Sequence, residues 1–265
     1  MKIILSRKGF DSGYGKIASP ILPDGTLLSM PIPTADKTTY ESLSYKGKKY
    51  SEIIDELWKG HKKEFEGQTC HLDPDLRKDV KNRFPDWEPA FGQSGAALSH
   101  LRNMRVGEGD LFLFFGWFKE TEIEQGKLKY KKKAKDLHVI YGYMQIGTII
   151  ERKYDAPDWL KEHPHIGDKN VRDDKNNSIY LPTKELSFIP NIKGCGLLNF
   201  RKDSVLTKDG MSKSKWNLPD CFKKVEISYH PNPWKGSYFK SADKGQEFVF
   251  DATPSIIEWV KQIIL

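Results

Sequence analysis

Two carboxylates stand out among the residues whose type and setting could do chemistry. Asp11 lies in Arg7-Lys8-Gly9-Phe10-Asp11-Ser12-Gly13, a glycine-bounded loop directly after the apolar opening of the chain, with two cations and a hydroxyl beside it. Asp73 lies in Cys70-His71-Leu72-Asp73-Pro74-Asp75-Leu76, where proline stiffens a loop already holding an imidazole and a second carboxylate. A loop carboxylate can orient a water or stabilise a developing cation, and His71, Asp73 and Asp75 are also of metal-binding type. Ordinary readings stay open. Arg7 and Asp11 can form a surface ion pair, and Asp73 or Asp75 can cap a helix starting near Leu76. The Gly9–Gly13 spacing matches neither a P-loop nor G-x-G-x-x-G, so no nucleotide cofactor is implied.

These groups need elements to hold them. Met1 to Ser6 reads as an opening strand, and Ser19 to Pro33 as a short hairpin turning at Pro23-Asp24-Gly25. Tyr50 to Phe65 has helical spacing with charges on the outer face. Leu111 to Phe118 is an uncharged, half-aromatic run too short to cross a membrane as a helix, and it reads as a central strand buried on both faces. Before it, Ser94 is placed to cap a helix whose stripe is Ala97, Leu98, Leu101 and Met104. Gln93, Ala96, Ala97 and His100 form a sparse strip beside that stripe, open to a ligand or filled by a turn cap and a core histidine.

Leu137 to Ile150 is the second long strand signal, and it is expected to form an antiparallel hairpin with Leu111–Phe118. Alternation places His138, Ile140, Met144 and Ile146 on one face and Val139, Tyr141, Tyr143 and Gln145 on the other, with Gly142 and Gly147 as candidate bulges. Between the two strands, Lys131, Lys132 and Lys133 belong to the densest basic cluster of the chain, either a solvated tip or a phosphate contact. His163-Pro164-His165, two histidines flanking a proline, could supply metal ligands, but the stretch reads as an exposed loop. A strand at 246–251 and a helix through Ile263 close the chain. These elements give an α+β fold in one domain over residues 1–265, a largely antiparallel mixed sheet flanked by helices.

Composition bounds the function. A net charge of +7 with a pI near 9.0 favours an acidic partner, nucleic acid before membrane. Three scattered cysteines without a C-x-x-C pair suit a reducing cytosol, and neither a leader nor a spanning run is apparent. A cytoplasmic protein is expected, with no membrane association and no obligate protein partner.

The stretches SRKGFDS, SPILPDGTLLSMPIP, HLDPDL, FGQSGAA, GDLFLFFGWF, HVIYGYMQIG and GQEFVFD together resemble the nucleotide-modification-associated domain 3 family over nearly the whole chain. Gly109-Asp110 with the following strand and IYGYMQIG is similar, more faintly, to PUA-like and EVE-like barrels that read modified bases. The family resemblance implies modified nucleic acid as the target. It further suggests a DNA glycosylase that excises a bulky modified base from phage DNA, working without a cofactor or metal. In that reading Asp11 and Asp73 are the catalytic carboxylates. Phe91, Trp117 and Tyr141 stack on a flipped base, and Gln93, His100, His138, Gln145 and Gln246 read its edges, with Ser12 and His71 nearby. Arg7, Lys8 and Lys131–Lys133 hold the DNA. The same inventory suits an enzyme that builds a modification, or a reader without chemistry.

Overall fold

The computed structural model describes residues 1–59, 65, 67–151, 156–167, 175–242 and 246–265. Nine strands form one mixed sheet: β1 (Lys2–Arg7), β2 (Ser19–Ile21), β3 (Phe91–Ser94), β4 (Leu111–Glu124), β5 (Lys127–Tyr130), β6 (Leu137–Ile150), β7 (Asn177–Pro182), β8 (Cys195–Leu197) and β9 (Glu247–Asp251). The main path runs β9-β1-β4-β6-β7-β3, with β2 and β5 on β4 and β8 on β6. Only the β1–β4 and β2–β4 pairs are parallel; the other neighbours in this sheet are antiparallel. The chain is therefore α+β, with helices α1 (Tyr50–Leu57), α2 (Gly95–Asn103), α3 (Pro164–Gly167) and α4 (Pro254–Ile264).

The apolar run at Leu111 becomes the centre of this sheet because it has hydrophobic neighbours for both faces. Leu113 and Phe115 join Ile3, Leu5, Phe248 and the buried stripe of α4 on one side, while Phe112 and Phe114 join Ile4, Phe91 and Leu98 of α2 on the other. Each fully buried Leu or Phe contributes about 1.5–3 kcal/mol, so this alternation fixes the register firmly. A third cluster, around Phe10, Met30, Tyr40 and α1, carries the segment that leads into Cys70 and His71.

The expected hairpin forms between β4 and β6, but the simple alternation drawn for β6 fails at its middle. The register slips between Ile140 and Gly142, leaving Tyr141 as an extra residue, and again between Ile146 and Thr148. Such a bulge inverts the pattern beyond it. Tyr143 consequently lies with Ile140 in one cluster, and Met144 and Ile146 lie with Val139 and Tyr141 in the other.

Three further expectations are corrected. No helix starts near Leu76; the chain makes only a short turn at Lys78–Val80, and Asp75 instead grips Arg83 through both guanidinium nitrogens (2.5 and 2.6 Å). The first helix covers Tyr50–Leu57, and 60–64 lie outside the described residues. His163 and His165 are buried rather than exposed on a loop. Among the described residues no helix is long and apolar enough to cross a membrane.

Candidate active site

The parallel strand β1 ends beside the centre of β4, and this delivers the basic loop to one end of the sheet. The Lys8 amide donates to Phe115 O at 2.8 Å, and Gly116 allows the approach because a Cβ there would stand 2.7 Å from Lys8 O. Gly9, at φ +78°, then turns the chain across the sheet end, where a side chain would collide with Ser29. His71 arrives from another direction, on the short strand Cys70–His71 paired with Ile32–Pro33. Gly92 of β3 donates its amide to Asp73 Oδ1 at 2.7 Å. Its missing side chain makes room for the His165 ring, which a Cβ would approach to 2.2 Å.

These segments enclose a cavity of about 530 Å³ lined by Arg7, Lys8, Asp11, Tyr14, His71, Asp73, Gln93, His165 and Gln246, among others. Its volume falls within the range for small-ligand sites. A second cavity of about 510 Å³ shares Arg7, Asp11 and Tyr14 with the first and adds Ser12, Trp117, His138 and Lys213. In it Lys213 Nζ lies 4.1 Å from the centre of the Trp117 ring and donates to Ser12 Oγ at 3.2 Å.

The two carboxylates are unlike each other. Asp11 Oδ1 accepts the Gly13 and Tyr14 amides, each at 2.7 Å, and so orders its own loop. The Asp73 side chain is 4% exposed and meets three imidazoles. Burial alone would raise its carboxyl, but contact with His163 and the fields of His165 and His71 outweigh that and hold it well below the usual carboxylate range. Burial pushes His165 down to about 4, so near neutrality a neutral imidazole stands beside an ionised carboxylate.

A buried ion pair lies next to them. Lys8 Nζ sits 3.0 Å from Glu247 Oε1, with side chains 8% and 1% exposed, and Gln93 Nε2 donates to the same oxygen at 2.6 Å. Removing two charges from water is costly, and the Gln93 hydrogen bond offsets part of that cost.

Several expected substrate contacts lie elsewhere. Phe91 and Tyr141 are buried in the core, so neither face is open to a base. Gln145 donates to Gly109 O and Ser187 Oγ and accepts the Ser187 amide. His100 bonds Ser228 and lies against Tyr229 instead of reaching the cavity. Lys131, Lys132 and Lys133 follow the β4–β5 hairpin and line neither cavity; Lys131 pairs with Glu120 at 2.7 Å.

The structure adds residues that the sequence left out of the site. His163 and His165 had a legible signal in their shared proline, but nothing in the sequence paired them with Gly92. Tyr14, 57% exposed at the rim of both cavities, sits between two glycines. Asp36, Asn177 and Glu247 matter only through contacts between distant segments.

Comparison with curated proteins and with solved structures finds no match. The family model described as nucleotide modification associated domain 3 matches residues 2–251, and the chain belongs to that family, with its role in nucleotide modification or the defence built around it.

Proposed function

We propose that the chain is a DNA glycosylase that hydrolyses the N-glycosidic bond of a bulky modified base, such as glucosylated hydroxymethylcytosine. The observation that carries this reading is Asp73: a buried, ionised carboxylate on the wall of a nucleoside-sized cavity that also holds Arg7, Lys8, Gln93 and Gln246. A flipped nucleotide needs cations for its phosphates, amides for the base edge and an aromatic lid. Arg7 suits the first task, Gln246 the second and the rim residue Tyr14 the third, while the buried Lys8–Glu247–Gln93 cluster shapes the wall behind them. The adjoining cavity at Trp117 and His138 gives a bulky substituent somewhere to go.

In the reaction the C1′–N bond breaks and its electron pair leaves on the base nitrogen, which takes a proton from solvent. A water oxygen bonds to C1′, and the water's proton passes to Asp73. The carboxylate also faces the positive charge that develops on the sugar. The His71 and His165 imidazoles help to hold the water. Asp11 keeps the Gly9–Tyr14 loop in place.

The test is to incubate the purified chain with glucosylated phage DNA and with plain DNA, then to assay abasic sites and free base. Free base from the modified DNA alone supports the proposal. Asp73→Asn should then slow release at least 100-fold with DNA binding kept, and Asp11→Asn should act chiefly through loop order. Tight binding with the DNA recovered intact would overturn the reading in favour of a reader, and turnover only with a donor substrate would favour a modifying enzyme.

A further inference from the structure

The geometry points to a mononuclear metal site at His71, Asp73 and His165, one that takes a divalent first-row transition ion of the Zn²⁺ or Fe²⁺ kind. Ring orientation and the spacing of the ligand atoms are what carry it. His71 Nδ1 lies 3.3 Å from Asp36 Oδ2, a contact that turns Nδ1 to the carboxyl group. His165 Nδ1 lies 2.6 Å from Asn177 Oδ1. The Asn177 amide is oriented by its own donation from Nδ2 to His165 O at 2.9 Å, so His165 Nδ1 is the donor. Both contacts leave Nε2 as the ring atom free to meet a further partner, and a neutral imidazole binds a metal through such an atom.

The two Nε2 atoms face each other at 3.2 Å. A shared hydrogen or a metal ion can bridge two nitrogens at that distance. Two imidazole nitrogens about 2.0–2.1 Å from one tetrahedral ion stand roughly 3.3 Å apart, close to the spacing here. A carboxylate oxygen of Asp73 completes a set of three ligand atoms within 4.8 Å of one another. Asp73 Oδ1 holds the Gly92 amide, whereas Oδ2 accepts no hydrogen bond among the described residues. His163 is not a ligand. Its Nδ1 accepts the His165 amide at 3.3 Å, so its Nε2 carries hydrogen and faces Asp73 Oδ1 at 3.4 Å.

The donor chemistry narrows the ion. Two imidazoles and one carboxylate favour zinc, iron or their neighbours over calcium or magnesium, which prefer all-oxygen shells. Asp36 and Asn177 supply the outer hydrogen bonds that fix ring orientation in such sites. Three protein ligands opening on a cavity leave a position for water, the pattern of catalytic rather than structural sites. An ion there would hold Asp73 as a ligand and itself activate the water of the reading above, in place of proton uptake by a free carboxylate, but the site rests on ring orientation and distances alone, and its test reads binding rather than base release.

The full chain, stripped with chelator and then freed of it, is titrated with Co²⁺ alone and followed by calorimetry and visible absorption. One equivalent is expected, with d–d bands, and excess Zn²⁺ should displace it. His71→Ala and His165→Ala should abolish the bands, and Asp36→Asn, one shell out, should weaken binding 10–100-fold. No binding by the wild-type chain, or binding unchanged in folded His71→Ala and Asp36→Asn, would overturn the site. Should the alanine variants fail to fold, the wild-type stoichiometry and the Asp36→Asn shift still decide it. Base release that fails while one Co²⁺ binds refutes the glycosylase and leaves the metal site standing.

Discussion

Gln93 Nε2 donates to Glu247 Oε1 across 2.6 Å, and this contact joins the two strands that end the sheet path, β3 and β9. The sheet has curled until its first and last strands meet at the cavity, with side chains closing the gap. Lys8 bonds the same oxygen, so Glu247 holds three segments together.

Replacing Glu247 by Ala should therefore cost much more than a surface ion pair. Lys8 would be left charged and buried, and breaking one side of such a pair costs about 3–5 kcal/mol. The double variant Lys8→Met/Glu247→Met should recover a large part of that loss. Urea unfolding of the three proteins checks this; equal midpoints for the wild type and Glu247→Ala would refute it.

Gly92→Ala tests how the histidines are seated. The added Cβ would overlap the His165 ring at 2.2 Å. Overpacking of this kind costs about 1–3 kcal/mol, and His165 should be forced from its place beside His71. A lower melting temperature together with the disappearance of the Co²⁺ bands is the expected pair of results. A melting curve matching the wild type would mean the ring has another place to go.

Stability should fall in mild acid, and the sign follows from two buried imidazoles. Burial, helped by the charges of Arg7 and Lys213, pushes His138 down to about 3, and burial pushes His165 down to about 4. In the unfolded chain a histidine titrates near 6.5. From there down to the folded values the unfolded chain binds protons that the folded one refuses, so stability drops as pH falls. For His138 alone the loss reaches about 3 kcal/mol by pH 4. Asp73, held low, adds its own loss only below the usual carboxylate range. Urea midpoints at pH 7, 5.5 and 4 should decline in that order, and His138→Gln should flatten the decline. A flat profile would show that both rings take up protons without cost.

DNA affinity should weaken steeply with salt if the basic residues engage phosphate. Lys132→Gln/Lys133→Gln should lower the slope of log affinity against log salt by about 0.9 for each duplex phosphate that is no longer neutralised. Preference for modified over plain DNA should stay as it was, because neither lysine lines the cavities. Filter binding at several salt concentrations reads both quantities, and an unchanged slope would take this turn off the DNA path.

The periodic parts of the fold were legible in the sequence, and the chemistry was legible only in pieces. Alternating apolar residues revealed the β4–β6 hairpin because each residue type reports its own burial. A bulge at Tyr141 defeats that logic, since one unpaired residue exchanges the faces beyond it. Asp11, Asp73, His71 and both basic residues could be chosen by loop chemistry and Gln93 by its place on a sparse helical strip, and the structure gathers them around one cavity. His165 could not be placed there, because what buries it is an absent side chain at position 92, more than seventy residues earlier. Aromatics were misleading for a related reason. Phe91 and Tyr141 look like stacking platforms in the sequence, but the core claims them first.

The course of β1 has a consequence for how the protein is made. That strand lies between β4 and β9, pairing Ile3 with Leu111 on one side and with Phe250 on the other. The cavity wall likewise borrows Gln246, and Lys8 takes its counter-charge from Glu247. A ribosome must thus release the segment 246–251 before the first strand gains its second neighbour or the pocket its last wall. Products that stop before that segment cannot carry the completed pocket, however well their earlier strands pair.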